Sequence, residues 1–122
     1  ASDVYKRQAD VPEIRMNPLN LDGEANNWLS CITLEPDCIK RGITPLTIME
    51  TLEKENIESR PIWKTMELQP VFSDNDFIQV ESNNGKSIGA DIFDRGVCLP
   101  SDIKNTDEEM ERVIQLVKTL FR

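Results

Sequence analysis

The chain has 122 residues, is 39% hydrophobic and 30% charged, and carries a net charge of −8. That length predicts one domain with a core of its own. That charge argues against nucleic acid and against an anionic membrane surface, since both need basic footprints.

Residues 1–10 hold no apolar core of the kind a signal peptide requires. Ser2-Asp3-Val4-Tyr5-Lys6-Arg7-Gln8 reads like a translated sequencing adapter, so these ten residues are expected to be a non-native extension and 11–122 the domain. No apolar run approaches the roughly 20 residues of a membrane span. Asp10 to Glu24, rich in Pro, Asn and acidic residues, predicts an irregular lead-in with at most one short extended piece. Asn27 to Leu34 mixes β-branched and aromatic residues without helical period and predicts a strand. Glu35 to Gly42 predicts a polar loop, marked by Pro36-Asp37. Thr44-Pro45 opens a helix, the threonine as cap and the proline in the first turn. Leu46, Met49 and Leu52, widened by Ile48, form its core stripe, with Glu50, Glu53, Lys54 and Glu55 on the solvated face. The helix must end before Pro61, and Arg60 to Trp63 predicts a second strand.

Lys64 to Ser82 carries no clear period. Asp74 to Asp76 and Asn83-Asn84-Gly85 predict turns, and Phe77 to Val80 fits either a short strand or an exposed loop. Ser87 caps a helix over Ile88 to Arg95, ended by Gly96. Val97 to Leu99 is extended. Thr106-Asp107-Glu108-Glu109 is a capping box. Met110, Val113, Ile114, Val117, Leu120 and Phe121 then follow at helical spacing to the last residues. The expected fold class is α+β, a small sheet covered by helices.

The chain has three cysteines, no Cys-x-x-Cys and no histidine. Self-contained Ser-His-Asp or Cys-His catalysis and a His-ligated zinc site are thereby excluded. A disulfide framework is not expected, and a reducing, cytoplasmic setting fits. Cys98, between Val97 and Leu99, reads as a buried structural cysteine. Glu50, Glu53, Glu55, Asp107, Glu108, Glu109 and Glu111 read as solvated helix faces and first turns. Asp74, Asp76 and Glu81 lack the spacing of a calcium loop. Lys54 and Lys64 raise the question of a Schiff base. Neither has a glycine-rich phosphate cradle beside it, so both read as surface lysines.

Arg60, Trp63, Lys64 and Gln69 put two cations, an indole and an amide on one non-helical segment. An arginine can grip phosphate with two N–H groups and an indole can stack on a flat ring. Equally, Trp63 could be a core aromatic and Arg60 the partner of a glutamate on the preceding helix.

The block Ile57-Glu58-Ser59-Arg60-Pro61-Ile62-Trp63-Lys64 resembles the Ile-Glu-Ser/Thr-Arg-Pro-Leu/Ile-Trp-Lys of DegT/StrS-type pyridoxal-phosphate sugar aminotransferases. Met66, Leu68, Gln69, Pro70, Val71 and Phe72 continue it. Phe93, Arg95, Gly96, Cys98, Leu99, Pro100 and Ser101 are similar to that family's Phe-Glu-Arg-Gly-Leu-Cys-Leu-Pro-Ser, and a Thr-Asp-Glu helix start follows in register. The likeness is greatest to the branch that aminates nucleotide-linked keto-sugars, as in bacillosamine-like pathways. It implies the C-terminal small domain of a fold-type-I aminotransferase. Such an enzyme takes the amino group from glutamate and works as a homodimer for glycan sugar biosynthesis. It holds pyridoxal phosphate on a lysine of an N-terminal large domain. No catalytic residue transfers to this chain. Arg60, Trp63, Lys64, Glu67 and Gln69 match the block that shapes the nucleotide-sugar pocket. Thr65 and Glu67 replace the family's usual proline and histidine, and Asp102 a usual glycine. A carboxylate facing a diphosphate would repel it by about 1 to 4 kcal/mol at contact distance. The other reading from the residues is a stand-alone, non-catalytic α+β binding module.

Overall fold

The computed structural model describes residues 11–16, 22–24, 26, 28–79 and 85–122. The expected extension at 1–10 lies outside the described residues, as do Asn27, Val80, Glu81, Asn83 and Asn84. Strands β1 (Ile14–Met16), β2 (Ser30–Leu34), β3 (Arg60–Pro61) and β4 (Gly96–Leu99) form one sheet in the order β1-β2-β4-β3. Every neighbouring pair is antiparallel. The helices are α1 (Pro36–Lys40), α2 (Pro45–Glu53), α3 (Ile88–Arg95) and α4 (Asp107–Thr119). The fold is α+β, with a small sheet covered by helices.

Strand periodicity of two assigns the faces. Ile32 and Leu34 of β2, with Val97 and Leu99 of β4, point into the main core. There they meet Ile48 and Leu52 of α2 and Met110, Val113, Ile114 and Val117 of α4. Each such side chain contributes about 1.5 to 3 kcal/mol of burial as an upper figure. Cys31 and Cys98 alternate to the opposite face. Helix α3 packs against β2 and β4, and its buried Ala90 lies outside the main core. Arg95 fastens this helix to the sheet, its Nη1 donating to the Leu34 carbonyl while it pairs with Asp91.

The helix starts follow the sequence closely. Thr44 and Thr47 make a reciprocal capping box on α2, and Thr106 and Glu109 make one on α4. Helix α2 ends because Asn56 takes a left-handed φ of 57°, which an asparagine tolerates. The Ile57 N–H then reaches back to the Leu52 carbonyl at 3.0 Å and turns the chain toward β3.

Four expectations need correction. The segment 35–42 contains a helix: Pro36 opens α1, Asp37 and Lys40 suit its two ends, and the buried Cys38 anchors it. Leu46 is exposed, beside a cavity between α2 and residues 56–60, so Ile48, Met49 and Leu52 carry the core stripe. The extended ladder at Arg60–Trp63 is only Arg60–Pro61. Helix α4 stops at Thr119. The stretch after β3 makes two 3₁₀ turns, Met66–Leu68 and Pro70–Phe72, and 77–79 is irregular and exposed.

The Asp91–Arg95 clasp predicts an acid-sensitive step. Hydrogen bonding to Arg95 holds the Asp91 carboxyl below its ordinary 3.8 against the penalty of burial, helped to a lesser degree by the charges of Arg95 and Lys86. A depressed folded value means stability present above 3.8 and lost as pH falls through the folded value. Asp91→Asn should flatten the fall in melting temperature below that pH. An unchanged acid slope would show that the clasp contributes nothing.

Candidate functional site

On the second face of the sheet lies a cavity of about 660 Å³. Its floor includes Cys98 and Leu99 of β4, and one wall is the continuous segment Glu58–Lys64. The opposite wall is the Pro100–Asp102 loop with Asn105. This loop is held in place: the Ser30 N–H donates to Ser101 Oγ at 2.7 Å, and Ser101 Oγ donates to the Leu99 carbonyl at 2.9 Å.

Of the five residues singled out from sequence, Arg60, Trp63 and Lys64 line this cavity. Trp63 is 62% exposed, so it is a rim aromatic and not a core one. Its ring lies 6.0 Å from that of Trp28, tilted by 42°, within the range of favourable aromatic contacts. Arg60 lies on β3 and pairs with Glu58, two residues before it, rather than with a glutamate of α2. Both partners are well exposed, so the pair holds the guanidinium only loosely.

Glu67 and Gln69 do not line the cavity. The Glu67 carboxylate accepts from the Ser87 hydroxyl at the start of α3, and that bond holds its carboxyl below the usual range. Ser87 Oγ also accepts from the Ala90 N–H at 3.0 Å, so Glu67 extends the α3 cap by one link. Gln69 Nε2 donates to the Lys64 carbonyl at 3.2 Å and closes the loop behind Lys64. Trp28, Ser101 and Asn105 were not foreseen as neighbours of this site. Trp28 is one of only two tryptophans in the chain, which was the available signal.

Pyridoxal phosphate needs a lysine beside a phosphate cradle. Lys54 and Lys64 are both exposed. The N-termini of α2 and α4 are closed by their own capping boxes, with three acidic residues in the first turn of α4, and that of α3 carries Glu67 on its cap. A phosphate would meet occupied N–H groups or negative charge at each. The described residues do not fit that group. They also hold no cluster of three or more metal-ligating side chains. No helix among them is long and apolar enough to cross a membrane.

This α+β fold, a small antiparallel sheet with its helices, is one the chain shares with solved pyridoxal-phosphate aminotransferases. The chain belongs to the DegT/DnrJ/EryC1/StrS aminotransferase family, whose pattern matches residues 2–118. It is 38% identical over 108 residues to EpsN of Bacillus subtilis (strain 168), provisionally named a pyridoxal phosphate-dependent aminotransferase. That match covers 88% of this chain and 26% of EpsN, so the chain spans about a quarter of its relative. Among solved structures it is similar to Spr1654 from Streptococcus pneumoniae in its PMP form, provisionally named a sugar aminotransferase. There the TM-score is 0.75 at 21% identity, covering 98% of this chain and 28% of that one. DesI, solved in the presence of its TDP-sugar product, gives a TM-score of 0.72 at 18% identity over 97% of this chain and 28% of DesI. The family is pyridoxal-phosphate-dependent, and Spr1654 is also known in a PLP form.

Proposed function

We propose that residues 11–122 are the C-terminal small domain of a cytoplasmic, homodimeric sugar aminotransferase. The intact enzyme moves an amino group from glutamate onto a nucleotide-linked keto-sugar for glycan biosynthesis, in the bacillosamine-like branch. The cofactor and the lysine that holds it belong to a large domain outside this chain. The observation that carries this reading is the cavity whose rim presents Arg60, Trp63 and Lys64 side by side. Two cations suit a diphosphate and an exposed indole suits a flat base. The TDP-sugar bound by DesI is a ligand of that chemistry. Glu67 and Gln69 serve the same site by fastening the segment that bears Trp63 and Lys64. The carboxylate of Glu67 is turned to Ser87 and so does not repel the ligand.

The test is to join this chain to the coding sequence upstream of Asp10 and assay cofactor absorbance and transamination of nucleotide keto-sugars. An upstream region without a cofactor-holding lysine would sink the proposal. In the assembled enzyme Arg60→Ala should weaken nucleotide-sugar binding by about 1 to 3 kcal/mol, the scale of a charge-assisted hydrogen bond. Calorimetric titration alongside thermal melts reads this. A lowered melting temperature at unchanged affinity would make Arg60 structural.

A further inference from the structure

We propose that Cys31 and Cys98 are a modification site: a thiol pair that closes to a cross-strand disulfide at the cavity floor by exchange with a low-molecular-weight disulfide. Three observations carry this. Cys31 and Cys98 are direct partners in the antiparallel β2–β4 ladder. Directly opposed residues of such a ladder have Cα atoms about 4.5 to 5.5 Å apart, inside the range a disulfide spans. Their sulfurs lie 3.3 Å apart, so closure to a bond of about 2.05 Å asks each to move by well under 1 Å.

The two thiols differ in the way an exchange reaction needs. Cys31 is half-buried, whereas Cys98 is 7% exposed and lines the cavity. Cys31 is therefore the entry point. Its thiolate attacks one sulfur of the small disulfide, the bond between that reagent's two sulfurs breaks, and one half leaves as a thiolate that takes up a proton. Cys98, as thiolate, then attacks the Cys31 sulfur of the mixed disulfide and expels the second half as thiol. Two protein thiols are oxidised, and one small disulfide is reduced to two thiols.

The environment of Cys98 favours this order. Its thiol is pushed up to about 12, by burial first and then by the hydrogen bond and charge of Cys31. In a mixed disulfide Cys31 has no thiol left to ionise, so burial is the cause that still opposes ionisation of Cys98. The third cysteine is a built-in control. Cys38 lies in the main core on the other side of the sheet, fully buried, with its sulfur directed at the Glu13 carbonyl at 3.8 Å. Closing the pair draws the Cys98 sulfur toward that of Cys31, and because Cys98 lines the cavity, the cavity lining changes with redox state.

The 122-residue chain is incubated with oxidised or reduced glutathione, then denatured, alkylated and weighed. Expected is a loss of about 2 mass units for two hydrogens in an aliquot weighed before alkylation, with the alkyl groups taken up falling from three to one in the alkylated sample. Peptide mapping should join the Cys31 and Cys98 peptides, dithiothreitol should separate them, and the melting temperature should rise on oxidation. Cys98→Ala should stop at a stable glutathione adduct on Cys31. Three alkylated thiols after oxidation, a persisting adduct in the parent chain, or a bridge through Cys38 would overturn the proposal. The parent-chain result decides it if the variant does not fold.

Discussion

Ile114→Ala is expected to lower the unfolding free energy by about 2 to 5 kcal/mol, the range for deleting a large buried aliphatic side chain. Ile114 is fully buried, midway along α4, in the same core cluster as Ile32, Leu34 and Val97. Its neighbours on the same stripe, Met110 and Val117, are themselves fully buried, so the void would have close-packed walls. Urea denaturation at constant slope measures the loss. A change below about 1 kcal/mol would mean that α4 repacks freely and that the core is looser than close packing implies.

Gly96→Ala is the second large effect, and its cause differs. Gly96 has a φ of −107°, ordinary extended backbone, so the residue is not there to adopt a left-handed turn. It is there for space. A Cβ at this position would sit 2.1 Å from Ile62 Cδ1 and 2.6 Å from the Ile92 carbonyl oxygen. The isoleucine tip can swing aside. The carbonyl belongs to the last turn of α3 and cannot move without lifting the helix from the sheet. Overpacking of this kind costs about 1 to 3 kcal/mol, and Ile62→Ala in the same chain should recover only the part due to the side chain. Full recovery in the double variant would show that the carbonyl contact carries no strain.

These two positions also show what the residues disclosed. The periodic run from Met110 to Val117 and its Thr106 box announced α4, because three turns of apolar spacing outweigh any local exception. The short apolar run Val97 to Leu99, between Gly96 and Pro100, similarly announced β4. Helix α1 was hidden: five residues are too few for a period, and Pro36-Asp37 reads as a turn as readily as a first turn of helix. The stripe on α2 misled at Leu46, since a spacing of three fits several faces and only tertiary packing chose Ile48. At the site, Arg60, Trp63 and Lys64 were legible as a group because they are near neighbours in sequence. Their surroundings were not. Trp28 arrives from 35 residues upstream of Trp63, and Ser101 from the far end of β4. Which way Glu67 points was equally hidden, since Ser87, its partner, is 20 residues away.

The paired indoles have a practical consequence. Trp28 and Trp63 are the only tryptophans in the chain, 70% and 62% exposed; Trp63 lines the cavity and Trp28 lies against Trp63. All indole emission therefore originates beside the cavity and none within the core. A nucleotide that stacks on Trp63 should quench that emission, and any exciton coupling between the two rings should change in near-ultraviolet dichroism, with no label attached. Melting of the core is read separately, from the backbone bands of the far ultraviolet. One unmodified sample thus offers two optical channels, one for occupancy of the rim and one for integrity of the fold.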